Sequence, residues 1–328
     1  MLEAVGFWRS ADPRDAVYGI LGLANQQVKV IVAPDYGNSL HEVYARATVA
    51  SIVTTGLLGA LAAAAQSNNM PSQSPTLPDE FPSWVLKPNR EWSADRNPAR
   101  IASKRRVEEV RTAFPNLVRN AALSNWKVLP LQGFAIAPIE VVTPPVTPEE
   151  WNSPQALLPR LRNIIRTLCA APGLQDQQDV IELQVAKALF DTDFLPSIRT
   201  SQDAADYHIA IAVMLRNLRR SSESDAELTE ATQYYETFRN TFEAPGSTRH
   251  RSFFVTAEGI IGRTLPGAQV GDWLCDLVGG EVPFVLRIKD GVKRRWSVVG
   301  DAHVLWAQAS RLSVVDPYLM EVSIDFAT

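Results

Sequence analysis

The chain is poor in the side chains from which most reactive centres are built: it has four histidines and two cysteines in 328 residues. Cys169 and Cys275 lie far apart, with no second Cys or His near either at metal-ligand spacing. That pattern excludes a zinc knuckle and reads both as reduced core thiols. His41, His208, His250 and His303 stand alone in sequence, and no His-Glu-x-x-His, P-loop or G-x-S-x-G string occurs. No residue therefore stands out as catalytic, and neither a metal nor another cofactor is expected. Charge of one sign is lacking too. Against 36 acidic residues stand 32 basic ones, a formal net charge of −4 that supplies no field to draw the chain onto nucleic acid or anionic lipid.

The start of the sequence has Glu3 where a signal peptide needs basic residues, and no apolar h-region follows, so a cytoplasmic location is expected. The longest uncharged run, Ala47 to Ala65, is built of Ala, Thr, Ser and Gly more than of Leu and Ile. Its transfer energy is too poor for a membrane span, and it reads instead as a buried helix followed by a strand.

What is present is the composition of an ordinary globular protein: 46% hydrophobic and 21% charged residues, enough apolar mass for two or three compact units. The fold class expected is α+β, with a mainly helical N-terminal and middle region followed by a small antiparallel β-meander or barrel. Asp12-Pro13-Arg14-Asp15 reads as a helix start, with Asp12 accepting backbone N–H groups. Val17, Ile20, Leu21 and Ala24 follow at helical spacing. Val28 to Val32 is strand-like, and Ser39 with Glu42 forms a capping box for a helix whose face is Leu40, Val43, Tyr44, Ala47 and Ala50. A polar Ser/Pro/Gln loop runs from Gln66 to Asp79. The mixed charges between Arg90 and Arg111 suit a solvated helix face.

Leu129 to Val142 carries prolines and reads as an extended connector or edge strand. Thr147-Pro148-Glu149-Glu150 and Ser153-Pro154 are helix starts, with Leu157, Leu161, Ile164, Ile165 and Leu168 as the buried face. Val180 to Phe190, Ala204 to Leu218 and Ala226 to Phe242 read as further helices. Beyond Gly246 the period becomes strand-like. About five short antiparallel strands are expected, their turns marked by Glu258-Gly259, Gly271-Asp272, Gly279-Gly280 and Asp290-Gly291. The organisation expected is 1–88 helices with short strands, 89–146 basic helix and connector, 147–244 helical block, 248–308 barrel-like unit and 309–328 tail.

Several strings carry a resemblance. Asp12, Pro13, Arg14, Asp15 and Tyr18 stand in one block, followed by Pro34, Asp35 and Tyr36 with Glu42-Val43-Tyr44, and then by Pro82, Ser83 and Trp84. Far downstream come Phe253 and Phe254 with Gly259 and Gly262, then Gly271 and Asp272, Gly280, Pro283 to Arg287, and Gly300. In this order the blocks resemble those of fungal heterokaryon-incompatibility proteins, the HET-domain family, over roughly the first quarter of the chain and the span from Arg249 to His303. Leu86-Lys87-Pro88 and Leu305-Trp306-Ala307-Gln308 depart from the family pattern.

The resemblance implies a factor in fungal non-self recognition and programmed cell death. The family's HET core, similar in fold to TIR signalling domains, precedes the first block, so the resemblance implies that this chain is a fragment or remnant without most of that core. It then acts as a non-catalytic regulatory region that binds a protein partner, such as a HET effector domain. Two other readings stand beside it: a TIR-like enzyme that cleaves a nicotinamide dinucleotide, and an adaptor or decayed gene product without activity.

Overall fold

The structure, a computed structural model, describes residues 11–56, 58–68, 82–86, 129, 131, 133–151, 153–190, 209, 212–216, 218–219, 251–280, 282–289 and 296–304. The expected basic segment from Arg90 to Arg111, the helix from Ala226 to Phe242, the turn at Asp290-Gly291 and the tail from 309 lie outside them. The architecture is α+β, with helices and a closed six-stranded antiparallel barrel. Contacts divide the chain into one unit of 1–136, 272–301 and 314–328 and a second of 137–271 and 302–313.

In the first unit, α1 is a single turn, Asp15–Tyr18, followed by a 3-10 turn at Leu21–Leu23. The expected apolar face is correct, for Val17, Ile20, Leu21 and Ala24 are all buried, but the helix is shorter than the spacing suggests. Pro13 precedes the helix instead of opening it, and the side chain of Asp12 accepts the backbone N–H of Arg14 two residues on.

The strand-like run Val28 to Val32 is a helix, α2 (Gln26–Ile31). Asn25 overrides the β-branched composition: in extended conformation, it accepts the Val28 N–H at 2.9 Å and satisfies one of the donors that a helix start leaves open. Helix α3 (Leu40–Thr55) begins at Ser39, whose hydroxyl accepts the Glu42 N–H, and ends at Gly56 in the left-handed region. The strand expected after it is α4 (Gly59–Asn68), so the Ala-rich run continues as helix into the start of the expected loop.

Strands β4 (Trp273–Leu277) and β5 (Phe284–Ile288) pair antiparallel, and β5 pairs with β6 (Trp296–Val304). The Gly279 carbonyl in the β4–β5 turn accepts the Leu58 N–H, tying that turn to the start of α4.

In the second unit, Thr147 and Glu150 form a full capping box at α5 (Pro148–Trp151). The Thr147 N–H donates to the Glu150 carboxylate at 2.8 Å, and the Glu150 N–H donates to the Thr147 hydroxyl at 3.2 Å. Helix α6 (Pro154–Cys169) places Leu157, Leu161, Ile164, Ile165 and Leu168 in the core, as their spacing predicts. Helix α7 (Gln178–Phe190) adds Ile181, Val185 and Ala186. Between Ala204 and Leu218, the residues described at 209, 212–216 and 218 are helical.

These helices lie on one face of β2 (Ser252–Thr256) and β3 (Ile261–Thr264), where Phe253, Val255 and Ile261 join the same apolar cluster. The opposite face is crowded. A Cβ on Gly262 would stand 2.5 Å from the Phe254 ring and 2.8 Å from the His303 carbonyl, so only glycine fits there.

Barrel order is β1-β2-β3-β6-β5-β4, where β1 is Gly133–Val142. This corrects the reading of that stretch as a connector or edge strand. It supplies a sixth strand to a closed barrel, and its register with β2 shifts between Ile139 and Val141, next to Pro138, where an irregularity tolerates a residue without an N–H. Among the described residues, no helix is long and apolar enough to cross a membrane.

Candidate functional site

The first two sequence blocks meet in space. Arg14 is their hub: its guanidinium bonds the Asp12 carboxylate, with Nη2 at 2.7 Å from Oδ2. Its Nη1 donates to the backbone carbonyls of Tyr36 and Asn38. The guanidinium carbon lies 5.3 Å from the centroid of the Tyr36 ring, within cation–π range. Tyr36 Oη donates to the Asp15 carboxylate, Tyr18 Oη donates to the Asp35 carbonyl at 2.9 Å, and the two tyrosine rings meet edge to face at 5.3 Å. Tyr44, on α3, donates its hydroxyl to the Pro13 carbonyl at 2.8 Å.

The arrangement is a polar clasp between residues 12–18, the loop 34–38 and the start of α3. Its electrostatics follow from the pairings. The Arg14 hydrogen bonds hold the Asp12 carboxyl below the usual carboxylate range, and Asp12 in return raises the Arg14 guanidinium. The bond to Asp15 favours the neutral Tyr36 phenol and pushes its pKa up, while burial does the same for Tyr44. A carboxylate engaged by a guanidinium and a phenol donating to a carboxylate are both held in the protonation states that bond. Neither is poised to move a proton near neutral pH.

The third block is bonded in the same unit. Ser83 Oγ accepts the Val298 N–H of β6 at 3.0 Å, the Leu86 N–H donates to Thr48 Oγ1 on α3 at 3.0 Å, and Trp84 is fully buried. Pro82 starts this short turn, its carbonyl accepting the Val85 N–H. Asp272, at the head of β4, accepts two hydrogen bonds from Arg287 of β5 at 2.7 and 2.9 Å, and that contact raises the guanidinium. Gly280 turns the chain from β4 to β5, Pro283 leads into β5, and Gly300 pairs with Val285.

In the second unit, Phe253 and Phe254 lie buried on opposite faces of β2, and Gly259 and Gly271 take positive φ in the turns after β2 and before β4. Pro34 sits exposed at the entry to the 34–38 loop.

The structure thus joins Asp12, Arg14, Asp15, Tyr18, Asp35 and Tyr36 in one cluster and Asp272 with Arg287 in another. Pro82, Ser83 and Trp84 pack as a third element of the first unit, and the remaining block residues shape strands and turns. Sequence reasoning missed Tyr44 and Thr48 as cross-linkers, although it placed Tyr44 on the buried face of α3. It also missed the buried pair Arg263 and His303, which face each other across β3 and β6.

Cys275 is fully buried, and burial pushes its thiol well above its ordinary value; partly buried Cys169 is raised for the same reason. Among the described residues no three His, Cys, Asp or Glu side chains converge in a geometry that could hold a metal. No family model matches the chain, and neither a curated protein nor a solved structure matches it.

Proposed function

We propose that this chain is a non-catalytic regulatory or partner-binding region of a heterokaryon-incompatibility-like protein, a factor in fungal non-self recognition and cell death. The observation that carries the reading is the use to which the resembling blocks are put. Residues from Asp12 to Tyr18 bond residues from Asp35 to Asn38, and Asp272 bonds Arg287, so the motif side chains serve as cross-links of a scaffold. A catalytic use would leave a nucleophile or base aimed into a cleft. The partner of this reading is a HET effector domain, whose activity the scaffold restrains or positions.

The test is a pull-down of the full chain against a separately expressed HET core. Association at micromolar concentration is the expected result, and its absence removes the partner. Incubation of the purified chain with NAD provides the opposing arm, since sustained release of nicotinamide would favour the nucleotide-cleaving enzyme instead.

A further inference from the structure

We infer that residues 12–24 and the loop 34–38 form a releasable clasp, a segment that opens locally while α3 stays folded and that exposes Val17, Ile20 and Leu21 when it does. The inference goes beyond the proposed function and stands on geometry without the family resemblance.

Three observations converge on it. First, α1 has four residues and the 3-10 turn three, both far below the length at which a helix persists by its own hydrogen bonds. What keeps them in place is tertiary, and the next helix, α2, has no buried residue with which to reinforce them.

Second, apart from the bond of buried Tyr44 to the Pro13 carbonyl, the polar bonds that hold the segment are exposed or only part-buried. Tyr36 is 56% exposed, the side chains of Arg14 and Asp12 are 25% and 30% exposed, and the bonds Tyr18 to Asp35 and Tyr36 to Asp15 are themselves exposed. Water competes for each of these partners, so breaking them costs little compared with breaking a buried bond.

Third, the seat beneath is of the opposite kind. Along α3, Val43, Tyr44, Ala45, Ala47, Thr48, Val49, Ala50 and Ile52 are buried, on more than one face, and Thr48 bonds inward to both Tyr44 and Leu86. A region of short elements and exposed bonds on a helix buried nearly all round is the arrangement in which sub-global opening precedes global unfolding.

Hydrogen exchange resolved to single amides on the full chain tests this. The amides of Val17, Tyr18, Gly19 and Ala24 should exchange at least about 100-fold faster than those of Ala47 to Ala50. Tyr36→Phe and Arg14→Lys should each speed the first group by about 3-fold or more while leaving the second unchanged. The Tyr36→Phe exchange is read only after a cooperative melt shows the variant folded, and Tyr18→Phe provides a second variant of the same kind. Equal rates in the two groups of the unsubstituted protein would overturn the inference. So would rates in the first group that none of the substitutions moves, since the clasp bonds would then not be what holds the segment.

Discussion

Two regions of this molecule are held together by different balances of burial and polar bonding. The helices of the second unit, α6 and α7, are fixed by apolar burial: Leu157, Leu161, Ile164 and Leu168 on one side meet Ile181, Val185 and Ala186, with Phe253, Val255 and Ile261 of the barrel wall beneath. The clasp of the first unit adds to the burial of Val17, Ile20 and Leu21 a set of named polar bonds, exposed or part-buried, with Arg14 at their centre. The first kind of contact is nondirectional and scales with area removed from water. The second is directional and specifies which loop meets which turn, while contributing little free energy in the presence of water. The core could be rebuilt from many apolar residues, whereas the clasp requires these particular side chains.

The largest expected effect is in the core. Leu161→Ala empties a fully buried position between helix and strand and should destabilise the protein by about 2–5 kcal/mol, read as a fall in the denaturant midpoint at unchanged slope. A loss below about 1 kcal/mol would mean that the helices of this unit collapse readily onto the space, and the contrast with the clasp would fail.

Next comes a polar bond in buried surroundings, which separates the effect of polarity from that of exposure. Thr143 is buried, and its hydroxyl accepts the Phe253 N–H at 3.1 Å just beyond the end of β1. Thr143→Val keeps the shape and removes the acceptor, and should cost about 1–3 kcal/mol because the Phe253 N–H loses a partner away from water. If the cost is as small as for an exposed bond, burial is not what distinguishes the two regions.

Smaller again is the cap of α2. Asn25 accepts one exposed N–H, and Asn25→Ala should cost about 1 kcal/mol, measured by thermal or denaturant unfolding. The same substitution bears on how the sequence is read. Val28 to Val32 is β-branched and apolar in alternate places, so composition favours a strand; the Asn25 cap starts it as a helix instead.

Local signals of this kind were legible where both partners lie within a turn. Thr147 and Glu150 form the reciprocal box that their spacing predicts, whereas Glu42, at the same spacing from Ser39, sends its carboxylate to Arg46 instead. Apolar spacing found α3, α6 and α7 and most of the barrel strands, because burial enforces the period. It did not show that β1 closes the barrel, since Pro138 weakens the strand pattern and its partners in β2 are more than a hundred residues away. The clasp was half legible. Asp12 beside Arg14 is visible in sequence, but the reach of Arg14 to the Tyr36 and Asn38 carbonyls is a product of folding that no local pattern encodes.

The smallest effect expected is at the clasp itself, and it has a pH signature that a packing effect lacks. Arg14 lowers the Asp12 pKa in the folded protein, so at neutral pH the ionised carboxylate favours the folded state. That contribution is complete above the pKa of the unfolded chain, about 3.9, and is lost as the pH falls through the lower folded value. Asp12→Asn removes the titration and leaves a weaker hydrogen-bond acceptor. The Tm difference between the parent protein and this variant should stay within about 3 °C, hold steady from about pH 5 to pH 8, and shrink toward zero as the pH falls below about 3.9 and through the lower folded value. Tyr36 sets the other limit: its raised pKa keeps the phenol bonded to Asp15 below the ordinary tyrosine value, and the bond is lost as the pH rises through the folded pKa. A difference that is independent of pH at the acid end would mean that Asp12 acts through shape and not through charge, and the clasp would then resemble the core that it is contrasted with.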